Sequence, residues 1–140
     1  MIILDTNVLS EALRPAPDAQ VLHWLSTQWR SALFTTTITR AEILLGVQLL
    51  PAGQRRQGLW QAAQAILNQD FAGQVLSFDA DAADAFAEIV ASRRTAGRPI
   101  SQFDAMIAAI ASSRGASLAT RNVKDFGDCG VALINPWGAL

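Results

Sequence analysis

Short apolar runs alternate along the chain with stretches in which apolar residues recur every three or four positions. The runs predict strands at 2–4, 32–37, 75–78, 117–120 and 131–134, because buried strands of a parallel sheet read as continuous apolar segments. The periodic stretches predict helices at 7–14, 18–29, 39–50, 59–67, 81–95 and 104–113. Strands that alternate with helices indicate an α/β fold, with a mostly parallel sheet of about five strands.

Local signals set the expected ends of these elements. Pro15 and Pro17 end the first helix, and Asp18 is suited to cap the second, because a carboxylate accepts the free N–H groups there. The second helix is expected to bury Val21, Leu22, Trp24 and Leu25. Because the chain has no internal repeat, charge block or linker-like stretch, residues 1–140 are expected to form a single domain.

Cysteine and histidine usage excludes much chemistry, because the chain holds only Cys129 and only His23. A disulfide within the chain, a Cys/His zinc cluster and a two-histidine nuclease are therefore ruled out. A site of carboxylate oxygens for a hard cation remains allowed. The first residues meet a charge at Asp5 and the longest apolar run, 105–111, is too short to cross a membrane, so a cytoplasmic location is expected.

Three acidic residues fall where parallel strands end or helices begin. Asp5 ends the first strand, Glu42 and Asp104 lie in first helical turns, and Asn122 follows the fourth strand with Asp125 close behind. Ligand sites of open parallel sheets form at these carboxyl ends. Converging carboxylates repel each other unless a divalent cation neutralises them. The pattern therefore predicts an Mg²⁺ site, with Mn²⁺ as a substitute.

A simpler interpretation competes for each acid. Thr39-x-x-Glu42 and Ser101-x-x-Asp104 match the capping-box spacing, in which both side chains satisfy N–H groups of a helix start. Asp5 is the hardest to explain as a turn residue or cap, because an acid directly after a buried strand carries a desolvation cost.

Together these residues resemble the four motifs of PIN-domain ribonucleases. The matching segments are Ile3-Leu4-Asp5-Thr6-Asn7, Thr39-x-Ala41-Glu42 with Leu45-Gly46, Asp104-Ala-x-Ile107-Ala108, and Ala119-Thr120-Arg121-Asn122 with Asp125-Phe126. Their order and spacing are most similar to the VapC toxin family of type II toxin–antitoxin systems, in its FitB-like branch. The resemblance spans nearly the whole chain and includes the closing Asn135-Pro136-Trp137.

The resemblance implies a fold, an activity and a role for each matched residue. The fold would be a three-layer α/β/α sandwich, and the activity a metal-dependent endoribonuclease that leaves 5′-phosphate and 3′-hydroxyl ends. Asp5 and Asp104 would bind Mg²⁺, and Glu42 would hold it through water or orient the attacking water. Asn122 stands where members of the FitB-like branch often have Asp, so a second metal would be held less strongly. Thr6, Thr120 and Asp125 are further candidate site residues.

Basic and aromatic residues surround these motifs. Arg40, Arg121 and Lys124 lie next to them in sequence and are candidates for RNA phosphate contacts. The remaining basic clusters, at 55–56, 93–94 and 98, are expected to balance surface acids. The four tryptophans are expected to serve in the core or an interface, because tryptophans at helical spacing do so more often than they stack bases.

The resemblance also implies partners: an RNA substrate, a small cognate antitoxin that covers the acidic groove, promoter DNA contacted only through the antitoxin, and a second copy in a homodimer. One alternative is a PIN-domain subunit without catalytic activity that acts in a DNA-bound regulatory complex. Asn122, which stands at a position that is often Asp in the FitB-like branch, is the reason to consider it. Another is a phosphatase with Asp5 as nucleophile, although residue 7 is Asn where a second Asp is expected.

The net charge agrees with these expectations only when the acids of the predicted metal site are counted separately. With 11 Lys plus Arg against 12 Asp plus Glu, the formal net charge is −1, which by itself argues against nucleic-acid binding. If three of the acids gather around Mg²⁺, the remaining surface is mildly basic.

Overall fold

A computed structural model describes residues 1–138, and within them five parallel strands form one sheet. The strands are β1 (Ile2–Leu4), β2 (Leu33–Thr36), β3 (Val75–Leu76), β4 (Ser117–Ala119) and β5 (Leu133–Ile134). Their order across the sheet is β3-β2-β1-β4-β5, with Ile3 beside Phe34 on one side and Leu118 on the other. The first strand is therefore the central one, and its carboxyl end lies between those of β2 and β4.

Six α-helices connect these strands within the described part of the chain. They are α1 (Thr6–Ala12), α2 (Ala19–Ser26), α3 (Thr37–Gln48), α4 (Gln54–Ala65), α5 (Ala80–Thr95) and α6 (Gln102–Ser113). A 3₁₀ turn at Arg30–Ala32 precedes β2, and a π-helical turn at Ile66–Asp70 continues α4. No helix in residues 1–138 is long and apolar enough to span a membrane.

The core divides into two apolar clusters, one on each face of the sheet. Ile3 and Leu118 pack with Ile89 of α5 and Ile107 of α6. Their neighbours in sequence belong to the second cluster, in which Leu4 and Ala119 pack with apolar residues of α1, α2, α3 and α4. Successive side chains of a strand point to opposite faces, so the two clusters confirm the predicted α/β/α sandwich.

The main errors of the sequence prediction concern the ends of helices and the buried face of α2. Helix α4 begins five residues before the predicted start at 59, because its polar first turn carries no apolar pattern. Asp18 does cap α2, accepting from the N–H groups of Gln20 and Val21. Leu22 was predicted to be buried and this was wrong: it is 44% exposed, since α2 packs through Val21, Trp24 and Leu25 instead.

Candidate metal centre

Asp5 lies at the carboxyl end of the central strand and is only 4% exposed. Its main-chain N–H donates to the carbonyl of Ala119 in β4, which continues the sheet by one residue. Three groups donate to its carboxylate: the N–H of Thr6 to Oδ1 at 2.8 Å, and the Thr120 hydroxyl and the Asn7 amide to Oδ2 at 2.7 and 3.2 Å. The first turn of α1 and the loop that follows β4 therefore fix this side chain.

The electrostatic environment of Asp5 is unfavourable for its negative charge. Burial raises the pKa of its carboxyl from 3.8 to about 6, while the Thr120 hydroxyl and the Thr6 N–H oppose this rise. The charges of Asp104 and Glu42 raise the pKa further. A buried carboxylate repelled by two others is the arrangement that a bound cation relieves.

Glu42 joins this group through a hydroxyl on the neighbouring helix. The Thr6 hydroxyl in α1 donates to Glu42 Oε1 at 2.7 Å and lies 3.0 Å from the Thr39 hydroxyl. The capping-box interpretation of Glu42 was wrong, because α3 starts two residues earlier than predicted. Its N-cap is Thr36, whose hydroxyl accepts the N–H of Thr39.

Asp104 lies in the first turn of α6 and is half-buried. The Ser101 hydroxyl caps this helix and accepts the Asp104 N–H at 3.3 Å, so the predicted cap exists. Burial raises the pKa of the Asp104 carboxyl, the Ser101 hydroxyl lowers it, and the charge of Asp125 raises it again. Asp104 and Asp125 both line a cavity of about 200 Å³.

Thr120 connects Asp5 to the fourth motif. Its hydroxyl donates to Asp5 and accepts the N–H of Asn122 at 3.1 Å. The side chain of Asn122 itself is exposed, whereas Asp125 adjoins Asp104 at the shared cavity. Which of these two completes the site stays a prediction.

Sequence reasoning did not single out two polar residues of this network. Asn7 donates to Asp5 and accepts the N–H of Arg121 at 3.2 Å, and Thr39 adjoins the Thr6 hydroxyl. Small polar residues beside a motif acid were the only available signal. The Thr39–Thr6 and Asn7–Arg121 contacts each span more than 30 positions in sequence, so local patterns could not identify them.

The three candidate phosphate contacts differ in their surroundings. Arg40 donates to Asn68 and Gln64 at 2.8 and 3.3 Å, against α4 and the turn after it. Arg121 stacks over the ring of Trp137 at 5.1 Å, and Lys124 is exposed. The main chain of Arg121 is linked to the acids, since its N–H donates to Asn7, which in turn donates to Asp5.

The donor set suits a hard cation. Within residues 1–138, no three His, Cys, Asp or Glu side chains lie close enough together to hold a metal ion as they stand. Mg²⁺ is usually bound by only one or two carboxylates, with waters and substrate phosphate completing its shell. The oxygens around Asp5 fit such a shell, and burial, together with the charges of Asp104 and Glu42, disfavours the negative charge of the unliganded carboxylate.

An apolar groove leads away from Glu42 between α1, α3 and α4. It encloses about 300 Å³ and is lined mainly by Leu13, Ile43, Val47, Leu50 and Leu59, with Arg14 and Arg55 beside them. The acidic group therefore lies at the end of a surface that offers both apolar area and positive charge.

Comparison with known proteins places the chain among well-defined relatives. The family model of the PIN domain matches residues 2–128. The plasmid stability protein StbB of Pseudomonas syringae pv. tomato is 44% identical over 99% of this chain and 100% of its own length. The VapC ribonuclease Y4jK of Sinorhizobium fredii is 39% identical over 98% of each chain.

A solved structure shows the same architecture. The structure of FitAB bound to an IR36 DNA fragment contains a chain that superposes with a TM-score of 0.93 at 38% identity, covering 100% of this chain and 98% of that one. Both the fold and the arrangement of the motif-bearing elements are thus shared over the full length.

Proposed function

Since the chain belongs to the PIN-domain family, in its VapC branch, we propose that it is a metal-dependent endoribonuclease that serves as the toxin of a toxin–antitoxin system. The observation that carries this proposal is the buried Asp5 at the end of the central strand. Glu42 is linked to it through Thr6, and the charges of Glu42 and Asp104 act on its carboxyl group.

Asp5 and Asp104 are the residues proposed to hold Mg²⁺ or Mn²⁺, with Glu42 and either Asn122 or Asp125 completing the site. When bound, the cation would supply a water of lowered pKa and would stabilise negative charge on the departing oxygen. The fit rests on the oxygen-only donors at this edge of the sheet and on the repulsion among the three acids.

The chain's own residues supply orientation and a proton acceptor. Thr120, Asn7 and the N–H of Thr6 lock the Asp5 carboxylate in place. Glu42 uses Oε1 to accept from Thr6, and Oε2 has no hydrogen bond within residues 1–138. This free oxygen can orient the attacking water and accept its proton. The water then displaces the 3′-oxygen from phosphorus, leaving a 5′-phosphate and a 3′-hydroxyl.

The substrate is proposed to be RNA, approached along the exposed Arg121 and Lys124 beside the fourth motif. Positive side chains of this kind position the phosphate backbone without reading its sequence. Arg121 has the strongest support, because Asn7 ties its main chain to the group that holds Asp5.

A small antitoxin is the proposed partner, and the apolar groove beside Glu42 is the surface proposed to receive it. The FitAB complex on DNA supports a two-component assembly. In this proposal the antitoxin contacts promoter DNA, which agrees with the toxin's net charge of −1. A homodimer and a cytoplasmic location complete the proposal.

The test is cleavage of total RNA by purified protein, with Mg²⁺ and with EDTA, for the wild type and for Asp5→Asn and Asp104→Asn. We expect cleavage only by the wild type with Mg²⁺, and end mapping should find 5′-phosphates. Equal cleavage in EDTA, or full activity of either variant, would contradict the metal-dependent mechanism.

The alternative of a subunit without catalytic activity makes a different prediction in the same experiment. Such a protein would bind metal and antitoxin but leave every RNA intact. The phosphatase alternative uses Asp5 as the nucleophile, and residue 7 is Asn where a second Asp is expected. Trapping of an acyl-phosphate on Asp5 would support the phosphatase.

A further inference from the structure

Arg93, near the end of α5, is a buried cation that the predicted site does not include. It is only 5% exposed, and no carboxylate within residues 1–138 forms an ion pair with it. Three main-chain carbonyls stabilise the buried guanidinium instead. Nε donates to the carbonyl of Arg98 at 2.6 Å, and Nη1 donates to the carbonyls of Asp125 and Gly127 at 3.0 and 2.8 Å. Burying a guanidinium is costly unless its N–H groups are paired, so these contacts fix the carbonyls firmly.

Two of these carbonyls belong to the loop that carries the fourth motif. Residues 120–132 connect β4 to β5 without a helix or strand, so regular hydrogen bonding does not set the path of this loop. Arg93 ties it to α5 from inside, while an exposed pair between Arg98 and Asp128 ties it from outside. The contact to the Asp125 carbonyl acts on the very residue whose side chain adjoins Asp104.

The third guanidinium nitrogen of Arg93, Nη2, does not take part in these contacts to the carbonyls. Nη2 forms no hydrogen bond within the described residues, and no buried side-chain nitrogen or oxygen there is without a partner. Nη2 is therefore accessible rather than enclosed. Arg93 lines the cavity of about 200 Å³ together with Ser101, Asp104 and Asp125. A buried, partly unpaired cation thus borders the space beside both carboxylates.

We infer that Arg93 is a positioning residue of the candidate site, which fixes the Asp125 main chain so that the Asp125 carboxylate stands beside Asp104 at their shared cavity. The Arg93 guanidinium also lines the cavity that these two carboxylates share. This inference rests on the proposed function, since it assigns Arg93 to the cation-binding end of that site.

The experiment compares Arg93→Lys and Arg93→Ala with the wild type, with Arg94→Ala as the matched control. Arg94 is the exposed neighbour on the same helix, so its loss changes net charge equally without touching the loop. Each protein is checked for folding by circular dichroism. Mn²⁺ affinity is measured by electron paramagnetic resonance, and kcat and KM for RNA cleavage are measured separately.

The expected result is a folded Arg93→Lys protein with Mn²⁺ affinity and kcat about 10-fold lower, the size typical of residues that orient metal ligands. KM should change little, and Arg94→Ala should match the wild type. Added guanidinium should restore part of the Mn²⁺ affinity of Arg93→Ala, whereas the neutral analogue urea should not.

A purely structural role would give the opposite result. Folded Arg93→Lys would then keep the wild-type Mn²⁺ affinity and kcat, with only its melting temperature lowered, and the inference would be overturned. If the wild type binds Mn²⁺ but cuts no RNA, the proposed catalytic function fails. The Mn²⁺ affinities of the variants still decide the role of Arg93 in that case.

Discussion

The two sides of the candidate site are held in place in different ways. On one side, Asp5 and Glu42 accept short hydrogen bonds from Thr6 in α1, and Asp5 also accepts one from Thr120, directly after β4. On the other side, Asp104 has only its helix cap, and Asp125 is exposed on an irregular loop. The first side is rigid before any ligand arrives, whereas on the second Arg93 fixes the Asp125 main chain but the exposed Asp125 side chain can adjust.

The difference suggests how like charges are kept together in a folded protein. Donors compensate part of the cost of burying Asp5, yet its pKa still rises to about 6. Asp104 is instead only half-buried and Asp125 is exposed, so water screens part of their repulsion. A cation would therefore meet one fixed carboxylate and draw the others toward it, mainly through movement of the exposed Asp125 side chain.

The largest expected effect comes from removing the fixed carboxylate. Asp5→Asn should lower RNA cleavage by more than about 100-fold, because loss of a ligand should exceed the 10- to 100-fold effects of residues that only orient ligands. Initial rates of RNA cleavage in Mg²⁺ provide the measurement. Asp81→Asn on the exposed face of α5 is the control. Equal losses in the two variants would show that net charge, and not the site, sets the rate.

A smaller loss is expected from a residue that orients Asp5. Thr120→Val removes the hydroxyl that donates to Asp5 Oδ2 and should reduce cleavage about 10- to 100-fold. Thr35→Val is matched to it, since the Thr35 hydroxyl is also buried but donates to the Leu4 carbonyl. That control should lose about 1 kcal/mol of stability and retain its activity. A reversed pattern would contradict the assignment of Thr120.

The raised pKa of Asp5 predicts an unusual pH dependence of stability. The native state binds this proton more tightly than the unfolded chain does, because the pKa is about 6 instead of 3.8. The free energy of unfolding of the metal-free protein should therefore fall as pH rises from about 4 to about 6, by on the order of 1–3 kcal/mol.

Urea unfolding in EDTA at the two ends of this range measures the effect. Other groups titrate as well, so the comparison with Asp5→Asn isolates the contribution of Asp5. The variant should lose less stability over this range than the wild type, and it should be the more stable protein at neutral pH. Identical pH profiles of unfolding free energy in the two proteins would show that folding does not raise the pKa of Asp5. Added Mg²⁺ should reverse the loss, because it displaces the proton.

The smallest effect is expected on the adjustable side. Asp125→Asn should weaken Mn²⁺ binding less than Thr120→Val does, because the Asp125 side chain is exposed and water can replace the lost oxygen. Asn122→Ala should have less effect still, since its side chain is exposed and away from the shared cavity. If Asn122→Ala proves more damaging than Asp125→Asn, Asn122 is the fourth site residue.

The same division separates what the sequence predicts from what it does not. Asp5 and Asp104 were predictable from local signals, a strand end and a capped helix start. The bond from Thr6 to Glu42 spans 36 positions, and only the packing of α1 against α3 creates it. The start of α1 is shifted by one residue and that of α3 by two relative to the prediction, which lies within the usual uncertainty of helix ends.

The loop side was the least predictable part. Arg93 was expected among the surface charges that balance nearby acids, and this was wrong, because it is buried beneath the loop. Its partners are main-chain carbonyls, which every residue has and no motif records. Irregular segments also lack the periodicity that reveals which side chains point inward.

The central claim is that the fixed carboxylate anchors a divalent cation, and Mn²⁺ binding followed by electron paramagnetic resonance tests it most directly. We predict saturable binding by the wild type, competition by Mg²⁺, and an affinity that falls as pH drops below about 6 as Asp5 is protonated. Asp5→Asn should show no such binding. Equal Mn²⁺ affinity in the wild type and in folded Asp5→Asn would contradict the account.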